Sequence, residues 1–316
     1  MSSFGYSGTI AHTVLRRAGA EADAAPAASM AITYRRRAFP WRDRPHPFVQ
    51  RLAHSSDGVH HFRSPVSGAL YSLVIDHVVQ GRVIFPGAGY LEMARAASCT
   101  LSMTTRAALE AVFFLQPLAV SSSGSQVECM IADDRFEIRS MDSASDDDAT
   151  VHCSGGIAAN HPAGSQRVDH ASVRGLMRGC AVDVGALYDG FDAVGLQYGP
   201  GYRTLEQAWG SGVRAAASRL RARRSQQDTQ VHPADLDDAL CTIALVSSGE
   251  SGGTRLPFAV DDAVLQGAAG SLWAFVGRQP GVDAVSILLG AAGADPQAQL
   301  NGFKSRALQA MATTAQ

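Results

Sequence analysis

The chain has 316 residues, 46% hydrophobic and 18% charged, enough apolar material for a large core in one long domain or two similar ones. A formal net charge of −2 at pH 7 argues against nucleic acid as a partner, because phosphate binding needs a basic face. No run of 18 uncharged apolar residues occurs and no basic segment precedes an apolar one at the N-terminus, so a soluble, cytoplasmic chain without a membrane partner is expected.

Residues 1–45 read as a segment distinct from the rest of the chain. Within them, residues 2–15 resemble the closing strand-turn-strand of a ketosynthase, with Ile10 where that family usually has Asn. The catalytic cysteine region of such a domain is missing, so 1–45 is read as its C-terminal remnant plus a linker, and His12 as inert. The linker is residues 18–30, rich in Ala and containing Pro26.

From residue 46 onward the pattern becomes regular. Short β-prone runs at 62–64, 70–74 and 82–85 are broken by Gly and Pro, and an apolar helix is expected over 89–99. Strands come next at 111–115, 126–132, 135–140 and 150–158, separated by Ser/Gly and Asp clusters, with the acidic run 142–148 as an exposed turn. The same order then recurs: an amphipathic helix over 183–194, strands at 203–210 and 213–220, and a second buried helix over 236–247. A second meander occupies 258–265, 271–277, 282–289 and 299–305. Helix followed by meander, twice, is an α+β pattern in which each sheet wraps one helix, with halves at 46–170 and 171–312.

Cys99, Cys129, Cys153, Cys180 and Cys241 show no Cys-x-x-Cys spacing, so neither a zinc site nor a disulfide framework is expected and buried free thiols are. The basic cluster at 219–224 reads as a solvated strand end or loop.

Two segments carry the chemistry. His77, Gly81 and Pro86 place an imidazole before a Gly/Pro turn that opens an apolar helix. In the second half, His232 and Pro233 lead into Asp237 and Cys241 near the start of another apolar helix. One base and one acid are what removal of water from a β-hydroxyacyl compound needs.

These segments resemble the motifs of dehydratase domains of modular polyketide synthases, His-x-x-x-Gly-x-x-x-x-Pro and, downstream, Asp-x-x-x-Gln/His. The first is matched completely, while the second is matched at Asp237 but ends in Cys241. Residues 34–41, His46-Pro47, the Tyr198-Gly-Pro-Gly-Tyr202 stretch and the Leu256-Pro-Phe-Ala259 stretch keep the family's order, so the resemblance covers residues 46–310. It implies a double hotdog, in which two curved sheets each cradle a central helix.

A lone His beside Asp76 in a strand-rich region is more often a satisfied structural side chain, but the full motif reverses that preference. By resemblance, His77 takes the α-proton of the substrate. Gly81 lets the backbone approach a ligand, and Pro86-Gly87 opens a helix whose free N–H groups polarise a thioester carbonyl. Asp237 is the implied acid, and here the physics conflicts: a helix N-terminus favours the carboxylate, so burial must outweigh the dipole. Asp235 and Asp238 point away from Asp237 at 100° per residue and read as N-cap or solvent-facing carboxylates, Asp235 being the N-cap candidate. Cys241, at i+4 from Asp237, stands where the family has Gln or His to orient the acid, and a thiol is a weaker donor. Tyr198 and Gly199 are candidates to hold the β-hydroxyl, with a turn tyrosine packing on its surroundings as the equal alternative. His232 reads as shaping the helix start, while His46, His60 and His61 lack a carboxylate at recognisable spacing and read as surface residues.

The resemblance implies dehydration of an acyl chain carried on the phosphopantetheine of an acyl carrier protein, with no metal or redox cofactor. Neighbouring synthase domains are implied partners, and a homodimer is left open. A same-fold isomerase or oxa-cyclase and a non-catalytic double-hotdog scaffold remain as alternatives.

Overall fold

The computed structural model describes residues 2–4, 10–12, 46–54, 58–120, 125–141, 149–158, 175, 180–210, 214–246, 253–267, 270–278, 284–291 and 293–307. The linker 18–30, segment 34–41 and acidic run 142–148 lie outside the described residues. The chain divides into units Met1–Trp41 and Arg42–Gln316. In the first, β1 (Ser2–Phe4) and β2 (Ile10–His12) pair antiparallel.

The second unit begins with the hairpin of β3 (Arg51–His54) and β4 (His60–Pro65). Next comes α1 (Gly68–Val74), where a β-prone run was expected. Leu70, Leu73 and Val74 are its buried residues, at i, i+3 and i+4. So short an apolar run fits either period, and the helical one prevails because it turns all three inward. A small hairpin, β5 (His77–Val79) and β6 (Arg82–Val83), leads into α2 (Gly87–Ser102). Rich in Ala, Leu, Met, Glu and Arg, α2 is buried all round from Ala88 to Cys99, as a helix enclosed by a sheet must be. It stops at Met103, which adopts the left-handed conformation at φ 57°.

The first meander is β7 (Arg106–Phe114), β8 (Gln126–Ala132), β9 (Arg135–Met141) and β10 (Thr150–Ile157). After β11 (Cys180–Val182), α3 (Val184–Ala193) is capped by Asp183, whose carboxylate accepts the N–H of Gly185 and Ala186. Strands β12 (Leu196–Tyr198), β13 (Leu205–Gly210) and β14 (Ala215–Leu220) precede α4 (Pro233–Cys241). This helix is shorter than expected and passes into a 3₁₀ turn, Thr242–Leu245. Thr242 marks the change: its hydroxyl donates back to the Asp238 carbonyl at 3.1 Å, and with Ile243 it brings β-branching into the turn. The second meander is β15 (Arg255–Gln266), β16 (Leu272–Arg278), β17 (Val285–Ala291) and β18 (Ala298–Ala307).

Among the described residues thirteen strands share one sheet in the order β11-β13-β14-β16-β17-β18-β15-β7-β10-β9-β8-β4-β3. The halves meet where β15 pairs antiparallel with β7, from Ala259 opposite Phe113 to Gln266 opposite Arg106. Helix α2 packs on β7, β8 and β9, α4 packs on β14, β16 and β17, and the helices touch each other. A separate three-stranded sheet, β12-β5-β6, also joins the halves.

Four cysteines are buried as expected, but Cys180 is exposed, because its three-residue strand is the sheet's edge. His46 and His61 are not unpaired surface residues. His46 Nε2 lies 3.0 Å from Glu92 Oε1, and His61 Nδ1 lies 3.1 Å from Glu128 Oε1. Within the 219–224 cluster Arg219 is exposed, whereas Arg223 turns inward to Asp235.

Glu92, on α2, is fully buried and accepts from Arg95 Nε at 2.6 Å, Arg95 Nη2 at 2.8 Å and the Gln230 N–H at 2.8 Å. Burial alone would raise its pKa, but His46 and Arg95 outweigh that and hold the carboxyl below its ordinary value. Removing one member of such a buried pair strands the other charge. Glu92→Ala is therefore expected to cost about 3–5 kcal/mol in urea unfolding; a loss under about 1 kcal/mol would show that Arg95 finds another partner.

Candidate active site

His77 opens β5, and the hairpin behind it is what the motif glycine serves. Gln80 and Gly81 both have positive φ, 49° and 74°, the geometry of a two-residue type I′ turn. Gly81 is exposed, its N–H donates to Gln197 Oε1 at 2.9 Å, and it does not reach the cavity into which His77 points. The expected close approach of its backbone to a ligand is thus corrected: Gly81 is required by the turn. His77 Nδ1 donates to the Ile84 carbonyl at 2.7 Å, since a carbonyl only accepts. That bond fixes the tautomer and leaves Nε2 as the basic nitrogen.

Asp237 arrives from the other half, on α4. The helix starts at Pro233, and its N-cap is His232, whose Nδ1 accepts the Ala234 N–H at 3.2 Å while Nε2 donates to Gln227 Oε1 at 3.0 Å. Burial, aided by Arg223, lowers the His232 pKa to about 3, which keeps that accepting nitrogen unprotonated. Asp235 is not the N-cap. It lies in the first turn, fully buried, with Oδ1 accepting from Arg223 Nε at 2.6 Å. Nor does Asp238 face solvent: it is fully buried and accepts from Tyr188 OH at 2.9 Å, Thr204 N at 2.6 Å and Thr204 Oγ1 at 2.5 Å. Both expectations fail for one reason. The helical angle turned these carboxylates away from Asp237, but other segments meet them there.

His77 Nε2 and Asp237 Oδ1 stand 3.9 Å apart. Asp237 Oδ2 is buried with no hydrogen-bond partner among the described protein groups. Burial raises the Asp237 pKa above the ordinary carboxylate value, against the opposing pulls of His77 and the Tyr198 hydroxyl. Desolvation therefore outweighs the two neighbours that favour the carboxylate.

A cavity of about 990 Å³ encloses the pair and is also lined by Gly87, Tyr198 and Cys241. Phe85, Tyr90, Phe114, Phe191 and Leu240 give it an apolar wall suited to an acyl chain. Among the described residues Asp237 is the sole carboxylate in this lining. Of the candidates, His77, Gly87, Tyr198, Asp237 and Cys241 converge here, whereas Gly81, Pro86 and Gly199 do not line the space. Pro86 is the N-cap of α2. Gly199 packs on Asp76, whose backbone oxygen accepts its N–H at 2.8 Å; a Cβ there would collide with the Asp76 carboxylate.

Tyr198 pairs with His77 across β12 and β5, and the ring of the fully buried Tyr202 lies 5.4 Å from the imidazole. Cys241 Sγ donates to Tyr198 OH at 3.4 Å, so the thiol engages the tyrosine. Burial first, then Asp237 and Asp238, raise the Cys241 pKa well above the thiol value and keep it neutral. Sequence reasoning missed Tyr202, the ties that hold Asp235 and Asp238, and most of the apolar wall. Tyr202 was signalled only as the end of the Tyr198-Gly-Pro-Gly-Tyr202 stretch, and the two ties only by the row of aspartates around Asp237. No group of three or more His, Cys, Asp or Glu among the described residues is arranged to hold a metal ion. No helix among them is long and apolar enough to cross a membrane.

Two family models match the chain, the polyketide synthase dehydratase domain over residues 46–141 and the polyketide synthase dehydratase N-terminal domain over residues 176–315. The chain belongs to the dehydratase domains of modular polyketide synthases, and its fold is their double hotdog. The polyketide synthase ThaG of Burkholderia thailandensis is 32% identical over 250 residues, covering 76% of this chain. The chain spans about 4% of that relative's length. Among solved structures, the CurK dehydratase matches with a TM-score of 0.74 at 22% identity, covering 84% of this chain and 99% of its own. The dehydratase from the terminal module of the rifamycin polyketide synthase matches with a TM-score of 0.70 at 25% identity, covering 83% and 96%.

The buried aspartates predict a pH dependence. Burial raises Asp235 to about 6 and Asp238 to about 7, despite the donors that pull each down. Folded values above unfolded ones mean that the native state keeps protons which the unfolded chain has released, so this stability is full below the unfolded value and is lost as pH rises through 6 and 7. Asp238→Asn removes one such group. Its unfolding free energy should fall less steeply than that of the wild type between about pH 4 and pH 7; equal slopes would show that Asp238 titrates normally.

Proposed function

We propose that the chain removes water from a β-hydroxyacyl thioester carried on the phosphopantetheine of an acyl carrier protein, giving the α,β-enoyl thioester. The observation that carries this reading is the His77 and Asp237 pair, 3.9 Å apart in one cavity. Nε2 of His77 takes the α-proton, and the carbonyl gathers the developing charge against the N–H groups at the start of α2, where Gly87 lines the cavity. Protonated Asp237 gives its proton to the β-hydroxyl as the C–O bond breaks, and water leaves. The imidazolium and carboxylate so formed are adjacent, and return of the proton from His77 to Asp237 restores the site. Tyr198 holds the β-hydroxyl, and no metal or redox cofactor takes part.

Two of the solved CurK structures are described as inactive mutants, one a histidine-to-phenylalanine and one an aspartate-to-asparagine change. In this chain the base and acid fall to His77 and Asp237. Neighbouring synthase domains and the carrier protein are the partners this reading requires.

The test is product analysis with a β-hydroxyacyl thioester. The enoate is expected; a shifted alkene or a ring would point to an isomerase or cyclase, and no turnover to a scaffold. His77→Ala and Asp237→Asn should each lower the rate by about 10²- to 10⁴-fold with the fold intact. Asp235→Asn, which keeps an oxygen for Arg223, should do much less, and the reverse ranking would move the acid to Asp235.

Cys241→Gln should retain or increase dehydration, because an amide is the stronger donor on the same helical face as Asp237. Overpacking is the opposing effect, about 1–3 kcal/mol in a tight core, so rates are read beside melting temperature. A well-folded Cys241→Gln chain that loses dehydration would show that the small thiol is needed.

A further inference from the structure

Between the strand that carries His77 and the helix that carries Asp237 runs a line of polar contacts that the reaction does not use. Asp76 immediately precedes His77, and its Oδ2 accepts the Gly201 N–H at 2.7 Å while its backbone oxygen accepts the Gly199 N–H at 2.8 Å. A Cβ on either glycine would collide with the Asp76 side chain, so this approach demands glycine at both positions. On the far side of the turn, the Gly201 carbonyl accepts from Arg223 Nη2 at 3.0 Å. Arg223 Nε reaches Asp235 Oδ1 at 2.6 Å, and Asp235 lies in the first turn of α4, two residues before Asp237.

This line is costly as a source of stability. The Arg223 and Asp235 side chains are 14% and 1% exposed, and Asp235 Oδ2 is buried without a partner. Buried ion pairs are commonly no better for stability than apolar residues of the same volume. What a planar guanidinium bridging two fixed acceptors does supply is geometry. None of Asp76, Gly199, Gly201, Arg223 and Asp235 lines the cavity, so none can act on a substrate directly.

We propose that Asp76, the Gly199–Gly201 turn, Arg223 and Asp235 form a positioning strut that sets the separation of His77 from Asp237. This rests on the dehydratase reading of that pair. Misplacement by about 1 Å can cost on the order of 10²-fold in rate, so a partial loss of the strut should lower kcat by about tenfold or more while leaving KM nearly unchanged.

The experiment compares Asp76→Ala, Asp235→Ala and their double variant with the wild type, each checked by thermal melting. The two residues share no contact, so independent structural losses would multiply in kcat. One strut broken at either end is broken once, and the double variant should be no slower than the worse single one. Arg223→Met should match the single variants. Arg223→Lys keeps the charge but cannot bridge both acceptors, so it should give an intermediate kcat at unchanged KM; it carries the test if the alanine variants fail to fold. Multiplying effects, or losses confined to KM and melting temperature, would overturn the strut.

A readout without turnover separates this from the dehydratase reading. Histidine ring resonances assigned to His77 by the His77→Ala spectrum should move in Asp235→Ala and in Arg223→Lys, although neither position bonds His77. Unmoved resonances would reject the strut even in an active enzyme. Moved resonances in a wild type that makes no enoate would uphold the strut and reject the reaction.

Discussion

The pairing of β7 with β15 is the constraint on which the rest of this structure depends. Each half could close its own hydrogen bonds along most strands, but these two would be sheet edges, with a row of unpaired N–H and C=O groups on each. Joining them from Ala259 and Phe113 to Gln266 and Arg106 removes both edges and makes one sheet of two meanders. It also puts α2 and α4 in contact. Neither helix can shift along its own half without disturbing the other, and the cavity lies where both halves supply walls. The register of one strand pair thus sets how the two halves meet, and within that frame the His77 imidazole stands 3.9 Å from the Asp237 carboxylate.

Around that cavity the chain buries more charge than its core requires, and it does so in an ordered way. Glu92, Asp235, Asp237 and Asp238 are all within the interior. Glu92 has a guanidinium, an imidazole and a backbone N–H, enough to keep it ionised against the cost of burial. Asp238 has three donors but no cation, and its pKa rises to about 7. Asp237 has an unpartnered Oδ2, and burial raises its pKa against the pulls of the His77 imidazole 3.9 Å away and the Tyr198 hydroxyl. Partners hold Glu92 ionised, whereas burial outweighs the partners of Asp235, Asp238 and Asp237, and of these three Asp237 is the one that lines the cavity.

The sequence made the halves legible because helix and meander periods are long and repeated, and it made His77 and Asp237 legible because their motifs are. What it hid depended on distant partners. His46 and His61 meet glutamates 46 and 67 residues away, and no local spacing carries that information. The helical angle correctly turned Asp235 and Asp238 away from Asp237, but it could not say that Arg223, Tyr188 and Thr204 would stand there in place of water. Gly81, Pro86 and Gly199 belong to the motifs and lie off the cavity wall, since a motif records what the backbone needs as well as what the substrate touches. The run at 70–74 was too short for its period to be read, and burial of Leu70, Leu73 and Val74 decided it.

Cys241 shows how the site accommodates its one departure from the family motif. A Gln or His at this helical position could reach the acid; the thiol is shorter, and its proton goes to Tyr198 instead. Tyr198 is anchored independently, by the backbone pairing of β12 with β5 opposite His77 and by ring contacts with Tyr188 and Phe191. Its hydroxyl lies near Asp237 and is neutral, because burial and the nearby carboxylates raise its pKa. The hydroxyl beside Asp237 is thus held by a strand pairing between the halves and not by a side chain on α4. That contact depends on the pairing of β12 with β5, which sets Tyr198 opposite His77, so one small sheet holds both the imidazole and the hydroxyl that stand near Asp237.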